Sequence, residues 1–274
     1  MIILLLFIPV LIYGMITAKI THVDMVNLYS KDVPPEFEGF RILFISDLDI
    51  KDRNDAEDFL DLLKTMDNYH PDMLALGGDY VLFNSKGDMT ETRKYLFNSL
   101  ASKYYPNGVY LVRGDGDLYA PIENDMPEAL CYLNEDGRYI KKGDAKIAIC
   151  GFDSCAPSYS DYGELTGKIK KDDFAIALTH SPIVISGLLS SGGKDNGAWC
   201  DLMLAGHTHG GQIKIGDHTI RALTPEEKRY KTGDSENGAQ IIISDGLGLD
   251  KFPMRIGTRS QVHLITLHTY MSGE

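Results

Sequence analysis

The chain has 274 residues, 43% hydrophobic and 24% charged, proportions of a folded globular chain long enough for one large domain or two small ones. Its net charge of −12 disfavours a nucleic-acid binder, because an acidic surface repels phosphate backbones. An anionic substrate stays open, since bound metal inverts the field locally.

In chain order, the first eighteen residues, MIILLLFIPVLIYGMITA, carry no charged side chain. Their length sits at the short end of a membrane-spanning helix, which needs roughly 17–25 apolar residues. A cleaved signal peptide competes with that reading, but no Lys or Arg precedes the run and no A-x-A site follows it. A core helix is the third option, against which no polar face breaks the run. The expectation is an anchor over residues 1–18, placing the protein at the cell membrane in a single pass on an undetermined side. Residues 19–40 read as a connector, in which Pro34 and Pro35 prevent helix.

A strand is predicted over RILFIS (41–46). After it, Ala56, Phe59, Leu60, Leu63 and Met66 recur at helical spacing on one face. PDMLALGGDY and NGVYLVRGDGD supply two more apolar runs, with a helix between them near 90–102. AKIAICGFD, DDFAIALTHSP and CDLMLAGHTHGGQIKI continue the pattern, and AQIIISDGLG and SQVHLITLHTY read as late strands rich in β-branched residues. Strand and helix alternate early and strands dominate late, which suggests a layered α/β fold around a mixed sheet. Cys131, Cys150, Cys155 and Cys200 form no C-x-x-C pair and read as buried or half-buried thiols, with one disulfide open if the domain is exported.

Five apolar runs end in metal-capable side chains: Asp47 and Asp49, Asp79, Asp115 and Asp117, His180, then His207 and His209. Strand ends in layered α/β folds converge on one sheet edge, where ligands bind. Asp and His hold hard or borderline divalent metals, and the escorting glycines let backbone approach an ion closely. A single Asp after a strand is usually a turn former, and His22, His70, His218, His263 and His268 read as ordinary surface or core residues. Five turn formers would not need glycine escorts and a His-x-His, so the ordered set is the informative signal.

At these motifs the chain resembles the calcineurin-like metallophosphoesterases, in particular a membrane-associated bacterial branch whose relatives include UDP-diacylglucosamine pyrophosphatase. The family's D-x-H, G-D, G-N-H-[DE], H and G-H-x-H motifs correspond to SDLDI, GGDY, RGDGD, LTHSP and AGHTHGGQ. The resemblance implies a four-layer α/β/β/α sandwich, here over residues 41–270, with two divalent ions at the sheet edge. It assigns Asp47 and His209 to the first metal, Asp79 to a bridge, and His180 and His207 to the second metal. Asp49 stands where the family has His, and Asp115 where it has Asn, so both positions keep ligand capacity. Gly116 stands where the family has a His that assists the phosphate, and Asp117 matches the acid beside it.

More carboxylate and less imidazole shifts preference toward Mn, with Mg, Ca, Fe or Zn as further possibilities. Asp117 and Arg113 are the candidate catalytic side chains and Arg255 a second candidate phosphate contact, with a solvent-facing salt bridge the competing reading for each arginine. The expected activity is hydrolysis of a phosphodiester or pyrophosphate in a phosphorylated small molecule or lipid, with no nucleic-acid partner. The alternative is a degenerate metal- or ligand-binding module that kept the fold and lost turnover at Gly116.

Overall fold

A computed structural model of the chain describes residues 2–82, 89–119, 122–153, 163–190, 198–216, 218–250 and 252–270. In chain order the elements are α1 (Ile2–Thr17), β1 (Thr21–Ser30), β2 (Arg41–Ile45), α2 (Arg53–Met66), β3 (Met73–Leu76), α3 (Thr90–Ala101), β4 (Val109–Leu111), β5 (Cys131–Tyr132), β6 (Asp136–Lys142) and β7 (Ala145–Phe152). The second half adds α4 (Gly163–Thr166), β8 (Ala175–Thr179), α5 (Ile185–Ser190), β9 (Leu202–Ala205), β10 (Lys214–Ile215), β11 (His218–Thr219), β12 (Ser235–Glu236), β13 (Ala239–Ile243) and β14 (Ser260–Thr269).

Two six-stranded mixed sheets form, in the orders β1-β14-β2-β3-β4-β5 and β12-β13-β9-β8-β7-β6. Strands β2 to β5 run parallel, as do β7, β8, β9 and β13, so each sheet presents adjacent C-terminal strand ends on one edge. Successive side chains on a strand point to opposite faces. Ile42 and Phe44 therefore enter a core shared with Ile149, Ile176 and Leu204 of the other sheet. Leu43 and Ile45 enter a separate core under α2 and α3. The outer face of the second sheet is covered by α5 and Trp199. The order of layers is helix, sheet, sheet, helix.

Helix α2 buries the five residues that its spacing selects, Ala56, Phe59, Leu60, Leu63 and Met66. The Asp52 carboxylate caps it, accepting from the amides of Asn54 and Asp55. Cys131 is half-buried, Cys150 and Cys200 are buried, and Cys155 lies outside the described residues.

Two expectations for the N-terminal region change. Residues 19–40 are not a plain connector, because Thr21–Ser30 pairs parallel with β14 through ten register positions as an edge strand. Edge strands keep one face wet, and the alternating T-H-V-D-M-V-N-L pattern is that of a half-buried strand. The anchor expected over residues 1–18 is a helix of 16 residues, Ile2–Thr17, and no described helix is long and apolar enough to cross a membrane. Its last turns are docked instead: Gly14 O accepts from the Arg255 amide at 2.9 Å, and Thr17 Oγ1 donates to Arg255 O at 2.6 Å. Ile8, Ile12, Tyr13, Met15 and Ile16 of this helix remain about half exposed.

Candidate metal centre

Parallel strands deliver each motif residue to the same edge. Asp47 and Asp49 follow β2, Asp79 follows β3, Asp115 follows β4, His180 follows β8, and His207 and His209 follow β9. Five of the seven occupy the left-handed backbone region: Asp47, Asp49, Asp79, His207 and His209, with φ between 46° and 69°. Each such residue costs on the order of 1–3 kcal/mol, and this strain is held only where surrounding bonds over-determine it. Those bonds are present. The amides of Asp47 and Asp49 donate to Gly78 O and Asp79 O at 3.0 Å, and the Gly116 amide donates to Asp79 Oδ1 at 2.7 Å. The His207 amide donates to both carboxylate oxygens of Asp47, at 3.0 and 3.1 Å. Gly206 permits this approach, since a Cβ there would lie 2.4 Å from Asp47 Oδ2.

The side chains form two adjoining groups. In one, His209 Nε2 lies 3.6 Å from Asp47 Oδ1 and 3.3 Å from Asp49 Oδ2. In the other, His180 Nε2 lies 3.4 Å from Asp79 Oδ2 and 3.8 Å from Asp115 Oδ1, and His207 Nδ1 lies 3.2 Å from Asp115 Oδ2. Asp115 is the most open member of the cluster with its side chain 47% exposed, which marks the mouth.

Backbone and side-chain acceptors set the imidazole tautomers. His180 Nδ1 donates to Gly77 O at 2.7 Å, which turns Nε2 into the cluster. His207 Nε2 faces Glu227 Oε1 at 2.9 Å, which leaves a lone pair on Nδ1. Those two nitrogens face each other at 3.1 Å, so with both rings neutral two lone pairs meet, a contact that a shared proton or a cation relieves. Asp49 Oδ2 is likewise buried with no hydrogen-bond partner among the described residues. The donor set, carboxylate plus neutral imidazole turned inward, fits divalent metal. Asp47, Asp79 and His180 form one group of metal-binding geometry, and Asp115, His180 and His207 another.

Protein charges alone leave this cluster frustrated. Burial pushes Asp49 well above the usual carboxylate range, with Asp79 and Asp47 adding to it, and burial raises Asp47 as well. Burial, reinforced by Arg255, holds His209 well below the imidazole range. Burial opposes charge on His180, but Asp79, Asp47 and Asp115 outweigh it and push its pKa well up.

The two candidate catalytic side chains lie differently from their sequence roles. Asp117 is buried and accepts from three backbone amides, those of Asp79 at 2.9 Å, Tyr80 at 3.2 Å and Gly114 at 2.9 Å. It ties the Asp79 and Asp115 loops together and so acts on the chemistry through position. Arg113 is ion-paired with Asp153, and with Glu123 at 3.6 Å. Arg255 is fully buried and donates to Gly246 O at 2.9 Å and Gly248 O at 2.7 Å, bracing the loop beside His209. Three residues that sequence reading missed surround His207: Glu227, Arg221 (Nη2 3.3 Å from His207 Nε2) and Asp250, which lies 3.5 Å from Arg221. No motif marks them, because they come from loops 12 or more residues downstream of the last motif His.

A layered α/β scaffold with a carboxylate and imidazole cluster at the joined strand ends defines a metal-dependent hydrolase. The chain belongs to the calcineurin-like phosphoesterase family, whose model matches residues 40–211, and is a metal-dependent phosphoric ester hydrolase. It is 24% identical to the uncharacterized metallophosphoesterase YkuE of Bacillus subtilis (strain 168), over 88% of this chain and 83% of that protein. It is 25% identical to the phosphodiesterase YaeI of Escherichia coli (strain K12), over 83% of this chain and 82% of that protein. A transmembrane protein with a metallophosphoesterase domain from Bos taurus is 24% identical, over 86% of this chain and 54% of that protein.

Proposed function

We propose that the chain hydrolyses a phosphodiester or pyrophosphate at a two-ion site. Asp47, Asp49 and His209 hold the first divalent ion, Asp115, His180 and His207 the second, and Asp79 lies between them. The observation that carries this reading is the pair of imidazole nitrogens of His180 and His207 turned inward at 3.1 Å and walled by Asp79 and Asp115. Bound divalent ions supply Lewis acidity and a water acidified for in-line attack. The protein's own part is positioning: strained backbone aims the carboxylates, and Gly77 O and Glu227 fix which imidazole nitrogens point inward. Four carboxylates and three imidazoles favour Mn over Zn.

Gly116 offers no imidazole to protonate a leaving group. Assistance by a positioned acid contributes about 10²–10⁴-fold, so esters with poor leaving groups suffer most. Pyrophosphates and aryl diesters, whose leaving groups depart without a proton, are the favoured substrates. Helix α1, apolar around its whole circumference and docked at Gly14 and Thr17, holds the domain at a bilayer surface. The naming of one relative as a transmembrane protein supports this placement.

The test is turnover by the Mn-loaded full chain on bis(4-nitrophenyl) phosphate and on a dialkyl phosphate. The expected result is metal-dependent release of nitrophenolate with almost no dialkyl turnover. Absence of turnover on either, with metal bound, makes the chain a binding module instead.

A further inference from the structure

The phosphoesterase reading leaves the substrate's negative charge without a partner. Four carboxylates balance two divalent ions, and Gly116 removes the motif imidazole. Arg113 is committed to Asp153 and Glu123, and Arg255 is fully buried against carbonyls.

Arg221 is placed differently. Its backbone is pinned to the GHTHGG turn, its amide donating to Gly211 O at 3.4 Å and its carbonyl accepting from Thr219 Oγ1 at 2.7 Å. Its guanidinium reaches back to His207, with Nη1 3.5 Å from Asp250 Oδ2 and Nη2 3.3 Å from His207 Nε2. The side chain stays 24% exposed. The second of those contacts is not a hydrogen bond. Glu227 is an acceptor at 2.9 Å from His207 Nε2, and its other oxygen is occupied by the Thr224 amide. That nitrogen therefore carries a proton, donates to Glu227, and has no lone pair for Arg221. Among the described residues, no acceptor is paired with the Nη2 edge of the fork.

We propose that Arg221 is a catalytic residue that binds the nonbridging oxygens of the substrate phosphoryl group over the second-ion side of the site. This rests on the phosphoesterase reading and adds a specificity element to it: an anionic tetrahedral group held by a planar fork. A guanidinium presents parallel N–H donors that match phosphate oxygens, whereas an ammonium presents a point charge. Asp250 orients the fork from outside, and the Glu227–His207 bond keeps it from being consumed by the imidazole.

The experiment measures inorganic phosphate affinity by calorimetry on the Mn-loaded full chain, its Arg221→Met variant and its Arg221→Lys variant, with metal content determined for each. The expected result is a loss of about 10- to 100-fold in phosphate affinity for Arg221→Met, the range for a charge-assisted bond, with metal content unchanged. Arg221→Lys recovers only part of it, because the charge returns without the fork. Unchanged phosphate affinity in Arg221→Met sinks the assignment while leaving the phosphoesterase reading intact. Metal loss in parallel with phosphate loss also overturns it, by making Arg221 a brace for His207. A wild-type chain that holds metal and binds no phosphate removes both readings together.

Discussion

Glu227→Ala removes the acceptor that fixes the His207 tautomer, and its consequence can be sized from the geometry. The bond from His207 Nε2 to Glu227 Oε1 is 2.9 Å long, and the glutamate side chain is 9% exposed. A charge-assisted bond in that setting is worth about 1.5–3 kcal/mol. Losing it frees the ring to rotate and lets the proton move to Nδ1, the nitrogen that faces Asp115 and His180. Carboxylates that orient a ligating imidazole in this way typically change metal affinity about 10–100-fold, which agrees with the bond energy. The assay is Mn titration of the apo full chain by calorimetry. One ion should weaken about 10–100-fold and the other, beside His209, should keep its affinity. Glu227→Gln should fall between the two, since the amide oxygen still accepts without the charge. Equal weakening of both ions would point to loosening of the 224–230 turn, which the Glu227 carboxylate also holds through Thr224, and would refute the tautomer argument.

Asp79→Ala should release both ions, because that carboxylate adjoins His180 and stands between the two groups; full metal content in the variant sinks the bridging role. His263 is buried in β14 with neither ring nitrogen hydrogen-bonded among the described residues, and burial holds its pKa down at about 4. Its folded value lies below the unfolded value of about 6.5, so the unfolded chain binds more protons between them and stability is lost as pH falls through that window. Urea unfolding of His263→Leu should show an acid sensitivity between pH 7 and pH 4 smaller by about 3 kcal/mol, and an unchanged slope rejects it. Ile12→Lys with Ile16→Lys places charge on two positions of α1 that are 51% and 54% exposed. The pair should abolish co-sedimentation with phosphatidylcholine vesicles at unchanged metal content; undiminished sedimentation means that α1 does not meet the bilayer.

The sequence by itself determined the elements whose signal is local. RILFI reads as a buried strand from its unbroken apolar run, and helical spacing marks the α2 face that is buried. The seven metal-capable residues were legible for the same reason: each ends an apolar run, and parallel strands place such ends on one edge. Only the tertiary structure decided what those residues meet. Asp117 follows Asp115 by two positions, yet its carboxylate turns into backbone amides of another strand's loop, a contact set by packing across 37 and 38 residues. β1 reads as a connector because an edge strand buries half its surface and forms its ladder with β14, more than 230 residues away. Glu227, Arg221 and Asp250 carry no motif at all. They matter because folding brings their loops against the outer nitrogen of His207, and sequence spacing holds no record of a contact that only the closed chain makes.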